Sequence, residues 1–181
     1  MDSSRVEIAV FAGGCFWCMQ HPFDELKGVV STTVGYTGGH KENPSYEEVC
    51  SGETGHTEAI EIQFDPTLIT YAKLLDVLWR NIDPTTSNRQ FADVGSQYRT
   101  AIFYHDEEQK QLAESSKEEM GRSDVHDKPI VTEIVPASVF YKAEEYHQTY
   151  YEKCPVRYKR YKSGSGRERY LSRTYGATEP E

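Results

Sequence analysis

The chain has 181 residues, of which 12% are aromatic, including 13 tyrosines, and this length supports one domain with a ring-rich core or pocket. Its net charge of −9 is uneven: residues 153–173 hold eight Lys/Arg against one acid, Glu168, so the body before them is strongly acidic, which argues against nucleic acid as the main partner. No apolar run reaches the ~18 residues of a membrane span, and MDSSRVEIAV lacks the basic and apolar regions of a leader, so a cytoplasmic protein with four reduced cysteines is expected.

Val6, Ile8 and Val10 alternate with Glu7 and Ala9, which predicts a strand ending at Gly13-Gly14. A helix should run from Cys15 towards Leu26, with Pro22 either loosening it or starting a separate short helix. Val29–Tyr36 reads as a second strand, closed by Gly38-Gly39. Asn43-Pro44 reads as an N-cap with Pro at the first position of a short helix, holding Tyr46 and ending near Gly52. His56–Phe64 is a third strand. Thr70 caps a helix whose Leu74, Leu75, Leu78 and Ile82 share one face. Arg99–Tyr104 is a fourth strand, Asp106 to about Gly121 a charged surface helix, Ile130–Val135 an edge strand after Pro129, and Ala143–Glu152 a last helix. The expected class is α+β: one domain, a mixed and mostly antiparallel sheet with packed helices in two layers, and a long irregular C-terminal segment. Residues 1–155 would form the catalytic part. Residues 156–181, with Ser163-Gly164-Ser165-Gly166, would be a basic segment of the same domain lying loosely on the acidic body.

Residues 13–18 read Gly-Gly-Cys-Phe-Trp-Cys after the first strand. A cysteine at a helix start meets free backbone N–H groups, which favour a thiolate. Cys15 and Cys18, three apart, fall on one helical face with Cβ atoms about 5–6 Å apart. A disulfide needs about 3.8 Å, so the first turn must give. Zinc is disfavoured because Cys50 and Cys154 are isolated. A thioredoxin-like doublet and a sulfoxide-reducing thiol both remain, and the bulky pair Phe16-Trp17 favours the second as a wall for a methyl or thioether. On the third strand, Glu58 shares parity with Ile60, Ile62 and Phe64. Either it points into the apolar face, where its pKa rises and it suits a general acid, or it lies just beyond the core in water.

Six ordered motifs then carry a resemblance: Gly14-Cys15-Phe16-Trp17, Gly35-Tyr36-Thr37-Gly38-Gly39, Asn43-Pro44-Ser45-Tyr46, Cys50-Ser51-Gly52, Gly55-His56-Thr57-Glu58, and Asp93-Val94-Gly95-Ser96-Gln97-Tyr98-Arg99. Over about residues 6–155 the chain resembles the A-type peptide methionine sulfoxide reductases. The resemblance implies reduction of methionine S-sulfoxide, protein-bound or free. Cys15 would be the nucleophile, Phe16 and Trp17 the walls for the ε-methyl, and Glu58 the acid for the departing oxygen. Tyr46 and Tyr98 would be phenols bonding that oxygen, and Asp93 a residue orienting the site through water. It further implies a sulfenic acid on Cys15, resolved by Cys18 or, as the alternative, by Cys154, and reduction by thioredoxin with no cofactor and no metal. A monomer is expected. Cys50 reads as a small hydrophobe, His56 as structural, and His105, His126 and His147 as surface residues. Tyr146, Tyr150 and Tyr151 read as core packing, and the role of Arg99 is open. Two other classes compete: a thioredoxin-like or sulfenic-acid thiol switch without turnover, and a cysteine hydrolase using Cys15, His56 and Asp93.

Overall fold

In chain order the elements are β1 (Glu7–Gly13), α1 (Phe16–Asp24), β2 (Val29–Thr37), α2 (Tyr46–Cys50), β3 (Thr57–Phe64), α3 (Tyr71–Trp79), β4 (Arg89–Gln90), β5 (Asp93–Val94), β6 (Thr100–Tyr104), α4 (Glu107–Arg122), β7 (Glu133–Pro136), β8 (Tyr141–Lys142), α5 (Tyr150–Lys153), α6 (Pro155–Gly164) and α7 (Arg167–Tyr175). The computed structural model describes residues 6–176. Residues 1–5, on which the expectation of no leader partly rests, and the terminal acids Glu179 and Glu181 lie outside the described residues. No helix among the described residues is long and apolar enough to cross a membrane.

Alternation builds the centre. In β1, Ala9 and Phe11 face one side and Val10 and Ala12 the other, and all four are buried. The first side meets Ile60, Ile62 and Phe64 of β3, Met19 and Phe23 of α1, Leu74, Leu75 and Leu78 of α3, and Ala113 of α4. The second is covered by chain around Val135, Ala137 and Phe140. The sheet order is β7-β6-β1-β3-β2-β8, and only the β6–β7 pair is parallel. The α+β class with a mixed, mostly antiparallel sheet is therefore observed.

Three local expectations are corrected, and the open choice at Pro22 is decided against a separate helix. Ser45, not Asn43, caps α2, because Ser45 and Glu48 form a reciprocal capping box that Asn43 cannot match. α1 runs unbroken through Pro22. The last helix is not continuous: a single 3-10 turn (Glu145–His147) precedes α5, and Thr149 between them takes φ +50°. The C-terminal segment is helical rather than irregular, since Pro155 fits the first turn of α6 and Tyr158 and Arg167 are buried anchors. Ser163-Gly164-Ser165-Gly166 is only the bend between α6 and α7.

One buried amide ties the site segment to the sheet. The Gln148 Oε1 accepts from Val34 N–H at 2.9 Å, and its Nε2 donates to Val34 O at 2.8 Å and Ala143 O at 3.1 Å. Gln148→Ala leaves both Val34 backbone groups without this partner, so it should cost about 2 kcal/mol in a denaturant titration. An unchanged midpoint would mean that the 143–149 segment is held by its other contacts.

Candidate active site

The site forms where β1 ends. Continuing the β1–β3 register from Phe11↔Ile60 places Gly13 opposite Glu58. Gly14 then turns the chain at φ +83°, where a Cβ would meet Gln90 at 2.5 Å, and α1 begins with Cys15 as its N-cap. The turn aims the first helical N–H, that of Phe16, at the Glu58 carboxyl, which accepts it at 3.0 Å. Glu58 is only 2% exposed, so of the two directions left open by the sequence the inward one holds. Burial pushes its pKa up to about 8 against the pull of the Phe16 N–H, and the negative charges of Asp93 and Cys18 add to the rise.

The cysteines differ from the expectation of a thiolate on Cys15. Glu58 takes the Phe16 N–H, and Cys15 is buried. Burial, followed by its bond to the Cys18 sulfur, holds the Cys15 thiol well above its ordinary range, and the Trp17 N–H opposes this only in part. Cys18 is buried on the next turn. Receiving the Cys15 hydrogen bond lowers it to about 7 despite its own burial, helped by Arg167 and Lys162. Both thiols are free. Cys154, at the α5–α6 junction, is half-buried and packs in the same apolar cluster as Cys18.

Phe16 and Trp17 sit on one wall. The Trp17 indole stacks on Tyr150 with centroids 3.9 Å apart and planes at 9°, and Tyr161 meets it edge-on at 5.8 Å. Its Nε1 donates to His147 Nδ1 at 3.0 Å. His147 is wholly buried, not on the surface as its flanking polar residues suggested. It packs on Phe16 at 5.1 Å and on Tyr46 at 4.4 Å. Burial lowers its pKa to about 4, so the ring is neutral at pH 7 and accepts the indole proton. Glu144 joins the group: Tyr36 Oη donates to it at 2.8 Å and the Tyr46 N–H at 2.9 Å. A cleft of about 360 Å³ opens between Trp17, Tyr46, Tyr146, Tyr150 and Tyr161. Tyr146 is exposed at its rim, so only Tyr150 and Tyr151 of the tyrosine run pack inward.

The other expected residues fall as follows. Tyr46 and Tyr98 are half-buried near Glu58, and burial followed by that carboxyl's charge keeps both phenols protonated. Asp93 on β5 accepts a hydrogen bond from Tyr161 Oη, a partner on α6 that no local pattern announces. Cys50 is half-buried at the end of α2. His56 is structural: Nδ1 accepts from Gly39 N–H at 3.0 Å, and Nε2 bonds Lys41 O at 2.7 Å. Both nitrogens being occupied, it is no base for Cys15, and the hydrolase reading has no support. Arg99 pairs with Glu133 at 3.4 Å and straps Ser96 O and Gly55 O. Sequence reasoning missed Glu144, His147 as a site residue, Tyr161 and Arg167.

A family model described as peptide methionine sulfoxide reductase matches residues 7–179. The chain belongs to this family. A Bacillus licheniformis protein named peptide methionine sulfoxide reductase MsrA is 55% identical over 179 residues, covering 99% of each chain. The reduced form of Saccharomyces cerevisiae Mxr1 superposes with a TM-score of 0.80 at 35% identity, over 86% of this chain and 89% of that one. Mxr1 in a structure titled as a complex with Trx2 matches with a TM-score of 0.58 at 26% identity, over 82% and 87%. As a peptide methionine sulfoxide reductase of the A type, the protein catalyses thiol-dependent reduction of methionine sulfoxide.

The raised Glu58 carboxyl leaves a signature in stability. Its unfolded pKa is near 4.3, and its folded value is about 8. The native state holds the extra proton between these values, so the carboxyl's contribution is complete below the lower one and is lost as pH rises through the upper one. Glu58→Gln does not titrate. Its melting temperature relative to wild type should therefore climb between about pH 5 and 8 and level off above. A gap independent of pH would mean that Glu58 ionises as an ordinary carboxylate.

Proposed function

We propose that Cys15 attacks the sulfur of a methionine S-sulfoxide while the protonated Glu58 carboxyl gives its proton to the departing oxygen. The buried carboxyl bonded to the Phe16 N–H, one residue from the nucleophile, is the observation that carries this reading. Sulfoxide oxygen leaves poorly unless protonated, so an acid with a pKa near 8 suits the task at neutral pH. Tyr46 and Tyr98 donate to the oxygen as charge develops on it, and Asp93 orients the group together with Tyr161. Phe16 and Trp17 form the methyl slot. Such a slot contributes only ~1–3 kcal/mol of discrimination, so contacts to the oxygen must separate sulfoxide from plain methionine.

Methionine leaves and Cys15 carries the oxygen as a sulfenic acid. In this reading Cys18, three residues on from Cys15 and buried like it, displaces the oxygen as water and forms the Cys15–Cys18 disulfide. Cys154 is the alternative resolving thiol. Thioredoxin then reduces the disulfide, a partner suggested by the relative captured with Trx2. Thiols carry every electron of this cycle, so the balance closes without a prosthetic group or metal. The working state in this proposal is a cytoplasmic monomer, with residues 1–155 providing the reacting groups and 156–181 belonging to the same domain.

Single-turnover reaction of the reduced protein with a sulfoxide-containing peptide, followed by disulfide mapping, tests the roles. One methionine per chain and a Cys15–Cys18 bond are expected, and Cys18→Ser but not Cys154→Ser should abolish that bond. A Cys15–Cys154 bond in wild type would transfer resolution to Cys154. Glu58→Gln should slow methionine formation by about 10²–10³-fold. The wild-type rate should fall as pH rises through about 8, where Glu58 loses its proton. A silent Glu58→Gln would favour a thiol switch over this mechanism.

A further inference from the structure

Arg167 begins α7, in a stretch whose charge pattern reads as solvated, yet it is only 2% exposed. Its guanidinium donates to Gly13 O at 2.9 Å and bonds Asn81 O. It lies 4.7 Å over the Phe91 ring and contacts the Met19 sulfur at 3.7 Å. Gly13 is two residues before Cys15, and Met19 directly follows Cys18, so the cation flanks both ends of the cysteine turn. A Cβ on Gly14 would lie 3.1 Å from it. Among the described residues no carboxylate pairs with it. A buried arginine served only by carbonyl dipoles and a ring face is costly unless an anion is close.

We propose that Arg167 is a positioning residue whose charge, seated against the cysteine turn, favours Cys18 as the thiolate that attacks the oxidised Cys15. This rests on the assignment of that pair as the redox couple. The titratable and charged groups that pack around Cys18 or act on its charge are Cys15 at the start of α1, Glu58 from β3, Asp93 from β5, Tyr150 and Tyr151 from α5, Cys154 at the α5–α6 junction, Tyr158, Tyr161 and Lys162 from α6, and Arg167 from α7. The phenols are neutral and the two carboxyl groups oppose a thiolate. Lys162 is half-buried, whereas Arg167 is screened by almost no water. Once Cys15 is a sulfenic acid, the Cys18 thiolate attacks its sulfur. The S–S bond forms, the S–O bond breaks, and hydroxide takes up one proton and leaves as water. The oxygen came from the sulfoxide, so no further oxidant is needed.

The test is the pH dependence of Cys18 alkylation by iodoacetamide in the reduced full-length protein, resolved from the other cysteines by peptide mass mapping. Wild type should show a midpoint near 7. Arg167→Gln keeps a donor for Gly13 O but removes the charge. It should raise the midpoint by about one pH unit and slow labelling at neutral pH by about tenfold. Arg167→Lys keeps the charge and should stay within a few tenths of a unit of wild type. A folded Arg167→Gln with the wild-type midpoint would overturn the proposal, as would equal shifts in both variants, which would mean bracing without charge. A wild-type midpoint at or above the ordinary ~8.5 overturns it with no variant needed. Disulfide mapping after sulfoxide turnover reports separately: if Cys15 pairs with Cys154, the assignment of Cys18 as resolving thiol fails while the midpoints still decide the role of Arg167.

Discussion

The hydrogen bond from the Phe16 N–H to the Glu58 carboxyl is the contact on which the site depends. It joins the first turn of α1 to the first residues of β3, two elements brought together by the antiparallel β1–β3 register. A helix start has unsatisfied N–H groups that must find partners. Here Cys15 provides no side-chain cap, and a carboxyl from 42 residues away in sequence takes the role. The same bond fixes Glu58 beside the cysteine and leaves the Trp17 N–H as the backbone donor to the Cys15 sulfur. Burial outweighs that single N–H, so the carboxyl stays largely protonated near neutrality instead of becoming an ordinary cap anion.

Around this contact the ring wall is set by polar groups one layer back. Trp17 could rotate if only Tyr150 stacked on it, but the His147 nitrogen fixes the in-plane orientation of its indole. His147 is in turn kept neutral by burial, with Glu144 nearby holding Tyr36 and the Tyr46 backbone. Gln148 pins the same segment to β2. The stretch 143–150 therefore acts as a brace for a wall built on α1. Its irregular course, with a left-handed Thr149, follows from serving the edge of β2 and the start of α1 at once.

Much of this was legible in the chain because it is written locally. Alternating apolar residues marked β1 and β3 as strands, and parity offered the inward direction of Glu58 as one of two readings. Leu74, Leu75 and Leu78 announced α3. What sequence could not show were partners brought together over 68 to 154 positions, such as Trp17–His147, Tyr46–Glu144, Asp93–Tyr161 and Gly13–Arg167, since single polar residues carry no period. His147 sits among Glu145, Tyr146 and Gln148, and Arg167 among Glu168 and Arg169, so both look solvated. The expectation for Cys15 failed for a related reason. The helix-start rule assumes a sulfur in reach of water and of the N–H groups, whereas here burial raises the thiol most and a carboxyl from another strand takes the first N–H.

The basic C-terminal segment acquires a reason within this geometry. Two titratable groups in one small site are pushed in opposite directions: the Glu58 carboxyl upward by burial, the Cys18 thiol downward by its neighbour's hydrogen bond and nearby cations. Burial alone would raise both, since it disfavours either anion. The neighbour's hydrogen bond does most of the separating, and positive charge on one side of the site adds to it. α6 and α7 deliver it, Lys162 from the surface and Arg167 from within. In the proposed cycle the acid must arrive protonated and the resolving sulfur ionised at one and the same pH. An apolar strand face supplies the first condition, and the neighbouring thiol, joined by a helix carried in from the end of the chain, supplies the second.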